Sequence, residues 1–345
     1  MRSSGATYDA VVPPAHPAEP LAPTDLDHAA GVLERVSAAF RIRVVGQDRL
    51  RSTLLTALIT GGHVLLEGVP GLAKTTAAQT LADAVSGSFG RIQCTPDLLP
   101  SDIVGTQIYD AATAKFRTQL GPVHANFVLL DEINRSSAKT QSAMLEAMQE
   151  GQTSIGGEVH RLPEPFLVLA TQNPIEHEGT YPLPEAQLDR FLLKDVLDYP
   201  TAREETEILL RIDRGVYDGP ATGPAIGLDD VLQLRRAARR VYLDPSLTAY
   251  IVALVHATRP PLAGLPGDLA RFVEFGASPR ASIAFSRASR ANALLAGRDH
   301  VLSEDIRELA HRVLRHRIVL GFEALAEDVR PEAIIDALLA AVPVP

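Results

Sequence analysis

The sequence predicts an α/β protein with a parallel five-stranded sheet between two layers of helices, followed by a smaller all-helical domain. Two observations lead to this fold class. Continuously apolar runs alternate with helical periodicity up to about residue 200, and such runs are typical of parallel strands buried on both faces. From Thr201 onward the apolar runs disappear while helical periodicity continues. The five strands are predicted over 64–66, 91–95, 126–130, 166–170 and 192–197.

The composition is that of an ordinary soluble protein with room for about two domains. Of the 345 residues, 46% are hydrophobic and 22% are charged. The net charge of −9 provides no overall field that would attract nucleic acid or an anionic membrane. The single cysteine, Cys94, excludes an internal disulfide. No apolar run approaches the length of a membrane span and no signal-peptide pattern opens the chain, so we expect a cytoplasmic protein without membrane insertion.

The pattern divides the chain into three parts. Residues 1–26 are rich in proline and alanine and are predicted to be a disordered tail. Residues 27–199 contain the predicted sheet, preceded by two helices, and residues 200–345 form the helical domain. Helices of that last domain are predicted over 228–241, 245–257, 279–296 and 303–318.

A phosphate-binding loop follows the first predicted strand and precedes a helix predicted over 77–85. Backbone N–H groups of such a loop can surround the α- and β-phosphates, Lys74 can reach the β- and γ-phosphates, and the Thr75 hydroxyl can hold Mg²⁺. The alternative is a Gly/Pro turn that happens to precede Lys-Thr. The turn just before the second upstream helix, with Val45 and Gln47, is placed to cover the base. The predicted phosphate-binding residues are Gly68, Val69, Pro70, Gly71, Leu72, Ala73, Lys74, Thr75 and Thr76.

Ala73 departs from the usual loop pattern, which has glycine before the lysine. A methyl group is tolerated there if the residue already belongs to the first turn of the helix, where φ is negative. We therefore expect a negative φ at Ala73.

Three further residues at strand ends fit a hydrolytic site. Asp131 ends the third strand, where the ligand crevice of a parallel sheet lies, and is a candidate Mg²⁺ ligand. Its neighbour Glu132 can polarise an attacking water. Asn173, at the tip of the fourth strand, can hold that water or contact the γ-phosphate. The alternatives are an acidic strand end that solvates a turn and an Asn-Pro turn.

Phosphoryl transfer also requires positive charge at the γ-phosphate, which an arginine can supply. Arg190, before the fifth strand, is a candidate finger that acts on another subunit, and Arg135 is a weaker one. Arg280, at a helix start in the second domain, is expected to fold over the nucleotide of its own chain. By spacing alone, a surface arginine beside a carboxylate is the preferred interpretation of Arg190 and of Arg280.

Together these segments resemble the MoxR family of AAA+ ATPases, over roughly residues 30–340. The resemblance implies an αβα core with a helical lid, and a ring, commonly a hexamer, that holds ATP and Mg²⁺ between subunits. It also implies that Asn173 is sensor 1, Arg190 the arginine finger and Arg280 sensor 2. Residues 96–124 would contain the helix-2 insert, and 153–161 the hairpin before sensor 1. The segments that carry the resemblance are GVPGLAKT (68–75), LDEINR (130–135), ATQNP (170–174), GTYPLPEAQLDRF (179–191), GASPRA (276–281) and HRI (316–318).

The family resemblance implies a chaperone-like remodeller that assembles partner complexes or inserts metal into them, often with a von Willebrand factor A domain protein. Other functions remain open: a nucleic-acid-dependent motor, a magnesium-chelatase-like subunit, or a nucleotide switch without hydrolysis. A basic stretch favours the motor, but no aromatic residues are interleaved to stack bases, so a solvated or subunit-facing surface is the preferred interpretation. Its basic residues are Arg307, His311, Arg312, Arg315, His316 and Arg317.

Overall fold

The computed structural model describes residues 20–174, 180–218, 225–260, 265 and 267–345. In chain order the strands are β1 Val64–Glu67, β2 Phe89–Gln93, β3 Gly105–Asp110, β4 Lys115–Leu120, β5 Phe127–Asp131, β6 Gln152–Ile155, β7 Glu158–Arg161, β8 Leu167–Gln172, β9 Leu193–Val196, β10 Val273–Phe275 and β11 Val319–Leu320. The helices are α1 Pro23–Arg43, α2 Asp48–Thr60, α3 Lys74–Ala84, α4 Pro100–Val104, α5 Ala138–Glu150, α6 Glu185–Leu188, α7 Ala202–Asp213, α8 Leu228–Arg240, α9 Pro245–His256, α10 Gly267–Ala270, α11 Pro279–Leu295, α12 Ser303–Leu314, α13 Phe322–Ala326 and α14 Pro331–Ala341.

The central sheet is parallel and has five strands in the order β2-β5-β8-β1-β9. Its strands are the five that the sequence predicts, with ends that differ by at most two residues. The three inner strands are almost wholly buried because helices cover both faces. The α/β fold class is therefore confirmed. Because the strands are parallel, their carboxyl ends all lie at one edge of the sheet, and this edge carries the site described below.

The first helix of the described chain begins earlier than predicted. Residues 1–19 lie outside the described part of the chain, but α1 already begins at Pro23, inside the predicted tail of residues 1–26. Proline suits the first helical position because it lacks an N–H that would need a partner. The Asp25 carboxylate also accepts a hydrogen bond from Arg240 at 2.8 Å, which ties this first turn to α8.

The carboxy-terminal part is not entirely helical. Strands β10 and β11 pair antiparallel, with Val273 opposite Leu320 and Phe275 opposite Val319. Strands of three and two residues are too short to show an alternating pattern, so the sequence prediction missed them. Helices α8 and α11 of this part pack against α2. The limits 27–199 and 200–345 for the two domains stay predictions.

Two antiparallel hairpins project from the sheet domain. The predicted hairpin is β6–β7, which turns at Gly156 and Gly157 with φ of 61° and 87°. The second, β3–β4, lies within 96–124, where only a short extended stretch was expected. The two hairpins touch, since a Cβ built on Gly156 would lie 2.1 Å from the Gln107 side chain. Near the tip of β3–β4, the exposed rings of Tyr109 and Phe116 stack edge to face at 5.4 Å.

A buried carboxylate joins the sheet to two helices. Asp195 of β9 is fully buried and accepts hydrogen bonds from Arg49 Nε at 2.9 Å and Thr53 Oγ1 at 2.7 Å, both on α2. Arg312 of α12 donates to the same Thr53 hydroxyl at 3.0 Å. Because a buried charge is tolerated only with such partners, this cluster locates α12 relative to the sheet.

We expect Asp195→Asn to lower the free energy of unfolding by about 2–3 kcal/mol, because the neutral amide replaces the buried carboxylate that accepts hydrogen bonds from Arg49 and Thr53. Asp198→Asn is the matched control, since the Asp198 side chain is exposed three residues further along the chain. It should change the free energy by less than about 0.5 kcal/mol. Urea denaturation measures both variants. Equal losses in the two would contradict a structural role for the Asp195 cluster.

Candidate functional site

The phosphate-binding loop lies at the carboxyl edge of the sheet, between β1 and α3. Lys74 is the first residue of α3, and its Nζ donates to the Gly68 carbonyl at 2.6 Å. Burial lowers the pKa of Lys74, and the neighbouring carboxylates, Asp131 foremost, oppose this shift. No heavy atom lies within 4 Å of a Cβ built on Gly71, where φ is +87°. The loop thus combines the buried ammonium of Lys74 with open space beside Gly71.

Ala73 does not have the expected negative φ. Its φ is +56° and its ψ is 19°, in the left-handed region, so this prediction was wrong. The reason is that α3 begins one residue later, at Lys74, and Ala73 is still the residue that caps the helix. Its carbonyl accepts the hydrogen bond from Ala77 N at 2.8 Å. The left-handed conformation costs an alanine about 1 kcal/mol, which explains why glycine is usual at this position.

The acidic pair is held by a threonine from the neighbouring strand. Thr171 of β8 donates from its hydroxyl to Asp131 Oδ1 at 2.9 Å and accepts from the Glu132 backbone N–H at 2.8 Å. Arg91 of β2 donates to the other oxygen, Asp131 Oδ2, at 2.7 Å. Sequence reasoning missed both partners because no local pattern shows that β5 lies between β2 and β8.

Glu132 also has a defined position. Its φ of +58° is unusual for a side chain of this size, and such strain often occurs at functional sites. Its Oε2 accepts from Gln93 Nε2 at 3.2 Å and from Arg135 Nη1 at 3.1 Å. Arg135, the weaker finger candidate, is therefore engaged with Glu132 of its own chain.

Asn173 and the loop around Gln47 lie at this same edge. Asn173 directly follows β8 and is buried, and the preceding residue, Gln172, accepts a hydrogen bond from Gly68 N at 3.2 Å. Gln47 donates from its side chain to the Asp198 carbonyl at 3.3 Å, just beyond the end of β9. The base-covering role of Val45 and Gln47 stays a prediction. Residues 175–179, including Gly179 of the motif over 179–191, lie outside the described residues.

Arg190 and Arg280 lie together, but not beside the loop. Both line a cavity of about 320 Å³ whose wall includes residues 61–63, immediately before β1. The phosphate-binding loop begins at Gly68, immediately after β1, so the four residues of the strand separate the two places by about 13 Å. This position of Arg280 at the amino edge of the sheet does not favour the expectation that it folds over the nucleotide of its own chain, which stays a prediction.

Asp189 holds the parts of this cavity together. Its Oδ1 accepts from Arg317 Nε at 2.7 Å and its Oδ2 accepts from Ser278 Oγ at 2.7 Å. Burial lowers the pKa of Arg317, and the Asp189 carboxylate opposes that shift. With both oxygens of Asp189 engaged, nothing in the lining neutralises Arg190, whose buried Nε has no hydrogen-bond partner among the described residues.

The basic residues in and just after α12 make contacts with other residues of the same chain rather than forming a groove for nucleic acid. His316 is buried, its Nε2 contacts the Phe191 carbonyl at 3.1 Å, and burial lowers its pKa well below the usual value. The other contacts are Arg307 to the Leu339 carbonyl at 2.9 Å, His311 to Asp336 at 2.9 Å, Arg312 to Glu308 at 3.1 Å and Arg315 to Glu332 at 3.2 Å. These pairings favour the structural interpretation of this stretch over nucleic-acid binding.

Comparisons with known proteins agree with this architecture. Residues 63–193 match the model of the ATPase family associated with various cellular activities, and residues 269–338 match the AAA lid domain. The chain is 49% identical over 332 residues to Chaperone MoxR1 of Mycobacterium tuberculosis, covering 96% of this chain and 87% of that protein. It is 35% identical over 327 residues to Protein MoxR of Paracoccus denitrificans, covering 89% and 95%. The crystal structure of a protein from Cytophaga hutchinsonii assigned as an ATPase superposes with a TM-score of 0.86 at 44% identity, covering 93% and 97%.

The fold, the phosphate-binding loop and the acidic pair define an AAA+ ATPase, with a nucleotide-binding domain and a lid. Within that class, the chain belongs to the MoxR family. Across the described ranges, no helix has the length and apolarity that a membrane crossing requires.

Thr171→Val should lower kcat for ATP hydrolysis by about tenfold while ATP affinity changes little, because the substitution removes the hydroxyl that positions Asp131 and Glu132 without touching the loop. Thr171→Ser, which keeps the hydroxyl, is the control and should retain most of the activity. Steady-state kinetics and calorimetric titration with ATP give the two quantities. Wild-type turnover in the valine variant would show that the hydroxyl does not position the acids.

Proposed function

We propose that this chain hydrolyses ATP in a Mg²⁺-dependent reaction at a site shared between adjacent copies in a ring. The observation that carries this proposal is the separation of the two groups of residues. The phosphate-binding loop, the acidic pair and Asn173 lie at the carboxyl edge of the sheet, while Arg190 and Arg280 line a cavity at the amino edge. Within one copy the two groups lie at opposite edges of the sheet, whereas head-to-tail contact of two copies can bring both to one nucleotide.

The residues at the carboxyl edge fit ATP and Mg²⁺. Thr171 and Arg91 fix the orientation of the Asp131 carboxylate, and each of its oxygens keeps a second lone pair that can bind a cation such as Mg²⁺. Thr75, in the first turn of α3, and Asp131 are the residues that would hold Mg²⁺. When bound, Mg²⁺ neutralises charge on the β- and γ-phosphates.

Each protein group has a separate task in the proposed reaction. Lys74 turns from the Gly68 carbonyl to the phosphates, while the first-turn N–H groups of α3 face the same anion. Glu132, held through its Oε2, accepts a proton from the attacking water that Asn173 helps to hold. Arg190 and Arg280 of the next copy supply positive charge to the γ-phosphate as it is transferred.

We propose that hydrolysis drives chaperone-like remodelling of a partner complex, in maturation or metal insertion. Similarity to proteins named Chaperone MoxR1 and MoxR supports this role. The two touching hairpins, β3–β4 and β6–β7, offer exposed side chains such as Tyr109, Phe116 and Val159 for contact with a client. A hexameric ring and a von Willebrand factor A domain partner are the assembly that the family resemblance implies.

Glu132→Gln should bind ATP with nearly wild-type affinity and hydrolyse it at least about 100-fold more slowly, because the amide cannot accept the proton from water. Lys74→Ala is the paired variant and should lose ATP binding, since the buried ammonium that faces the phosphates is removed. Calorimetry measures affinity and phosphate release measures turnover. Wild-type turnover in Glu132→Gln would exclude Glu132 as the base, and unchanged affinity in Lys74→Ala would refute the assignment of the loop.

Mixing two inactive variants tests the shared site directly. The Arg190→Ala copy has an intact phosphate-binding loop but cannot supply Arg190 to the site of its neighbour. The Lys74→Ala copy cannot bind ATP but still supplies Arg190 to the site of its neighbour. Mixed rings should therefore recover part of the wild-type ATPase rate at the interfaces where an intact loop meets an intact arginine. Sedimentation confirms that rings have formed. If assembled mixed rings show no recovery, Arg190 does not act on the neighbouring copy.

A further inference from the structure

Another arginine, Arg287, lines the cavity that contains Arg190, Arg280 and Arg317. Arg287 lies on α11 seven residues after Arg280, and Ile283 and Ala284 between them line the same cavity. Positions i, i+3, i+4 and i+7 share one face of a helix, so Arg280 and Arg287 project from the same face about 10 Å apart along the axis. The cavity is therefore bordered by Arg190 of the sheet domain and by Arg280, Arg287 and Arg317 of the lid, and of these Arg317 is paired with Asp189.

The positive charge of this cavity is not compensated within the chain. Arg287 is exposed and has no hydrogen bond or ion pair with any residue that the structure describes. Asp189 is the sole carboxylate of the lining, and both of its oxygens are occupied by Arg317 and Ser278. In a chain with a net charge of −9, an unneutralised cluster of guanidiniums points to an anion supplied from outside the chain.

We propose that Arg287 binds the phosphate groups of the nucleotide held by the adjacent subunit, as a third cation beside Arg190 and Arg280. This inference rests on the shared site proposed above. The acidic residues of that neighbouring site are poor alternatives for Arg287, because Asp131 already has Arg91 and Thr171 as partners and Glu132 has Gln93 and Arg135. The remaining anion is the triphosphate, whose negative charge exceeds the combined positive charge of Mg²⁺ and Lys74.

The three arginines differ in how firmly they are held, which separates their roles. The Arg190 Nε is buried, whereas the Arg280 side chain is exposed at the start of α11, where its backbone N–H donates to Ser278 Oγ at 3.1 Å. Arg287 is exposed two turns further along the helix and is not supported by any described neighbour. A guanidinium that is not preorganised strengthens ground-state binding more than it stabilises a transition state. Arg287 thus contributes to ATP affinity rather than to the transfer step.

Arg287→Gln should raise the KM for ATP about tenfold and change kcat less than about threefold, because one charge-assisted contact to bound nucleotide is lost. Arg287→Lys keeps the charge without the planar fork and should fall between the glutamine variant and the wild type. The matched control is Arg236→Gln. Arg236 is an exposed arginine of α8 that lines a neighbouring cavity without Arg190 or Arg280, and its loss should leave KM unchanged.

Mixed rings show whether Arg287 acts across the interface. When Arg287→Gln is combined with inactive Lys74→Ala, the active sites that receive Arg287 from the Lys74→Ala copy should have the wild-type KM. An equal rise of KM in Arg236→Gln would overturn the inference, because a general loss of positive field would then explain the effect. An excess of Lys74→Ala copies makes such sites the majority of the active sites, and a KM that stays raised at them would overturn the inference as well.

The parallel mixture of Arg190→Ala with Lys74→Ala distinguishes the two levels of the proposal. If that mixture recovers activity but the Arg287→Gln mixture keeps a raised KM, Arg287 does not contact the neighbouring nucleotide and the shared site stands. If neither mixture changes in assembled rings, the shared site itself is wrong and the role of Arg287 is overturned with it.

Discussion

The polarity of the parallel sheet is the constraint on which the rest of this structure depends. All five central strands end at one edge, so the residues that follow β1, β5 and β8 meet there: the phosphate-binding loop, the acidic pair and Asn173. The residues that precede β1 lie at the opposite edge, in the cavity that holds Arg190, Arg280 and Arg287. The length of β1 keeps the two groups apart, and an active site that needs both must draw on two copies.

Buried polar contacts, among them the Arg317–Asp189 ion pair, keep the lid in the position that creates this arrangement. Arg317 and Ser278 converge on Asp189, and Arg312 and Thr53 converge near Asp195. Each pair joins a helix of the lid to the strand region of the first domain, at the cost of taking charges out of water. Such a cost is offset only while the partners stay together, so these contacts favour one docking position of α11 and α12 over all others. This docking position of α11 in turn determines where Arg280 and Arg287 lie.

Much of the site could be inferred from local pattern. The loop from Gly68 to Thr76, the strand ends at Asp131 and Asn173, and the hairpin around Gly156 each follow from a few consecutive residues, because strand, turn and helix signals are local. The errors also have local causes. The φ of Ala73 depended on where α3 begins, within a margin of one residue, and strands β10 and β11 were too short to show periodicity.

The sequence by itself determined the fold class, the loop that binds phosphate and the residue types available for hydrolysis, because these depend on periodicity and on neighbours in the chain. Tertiary structure decided which of these residues meet. Thr171 reaches Asp131 only because β8 lies beside β5, and Arg280 lies near Arg190 rather than near Lys74 only because α11 packs at the amino edge. Strand order and helix docking result from contacts between residues far apart in the chain, for which a single sequence has no local signal.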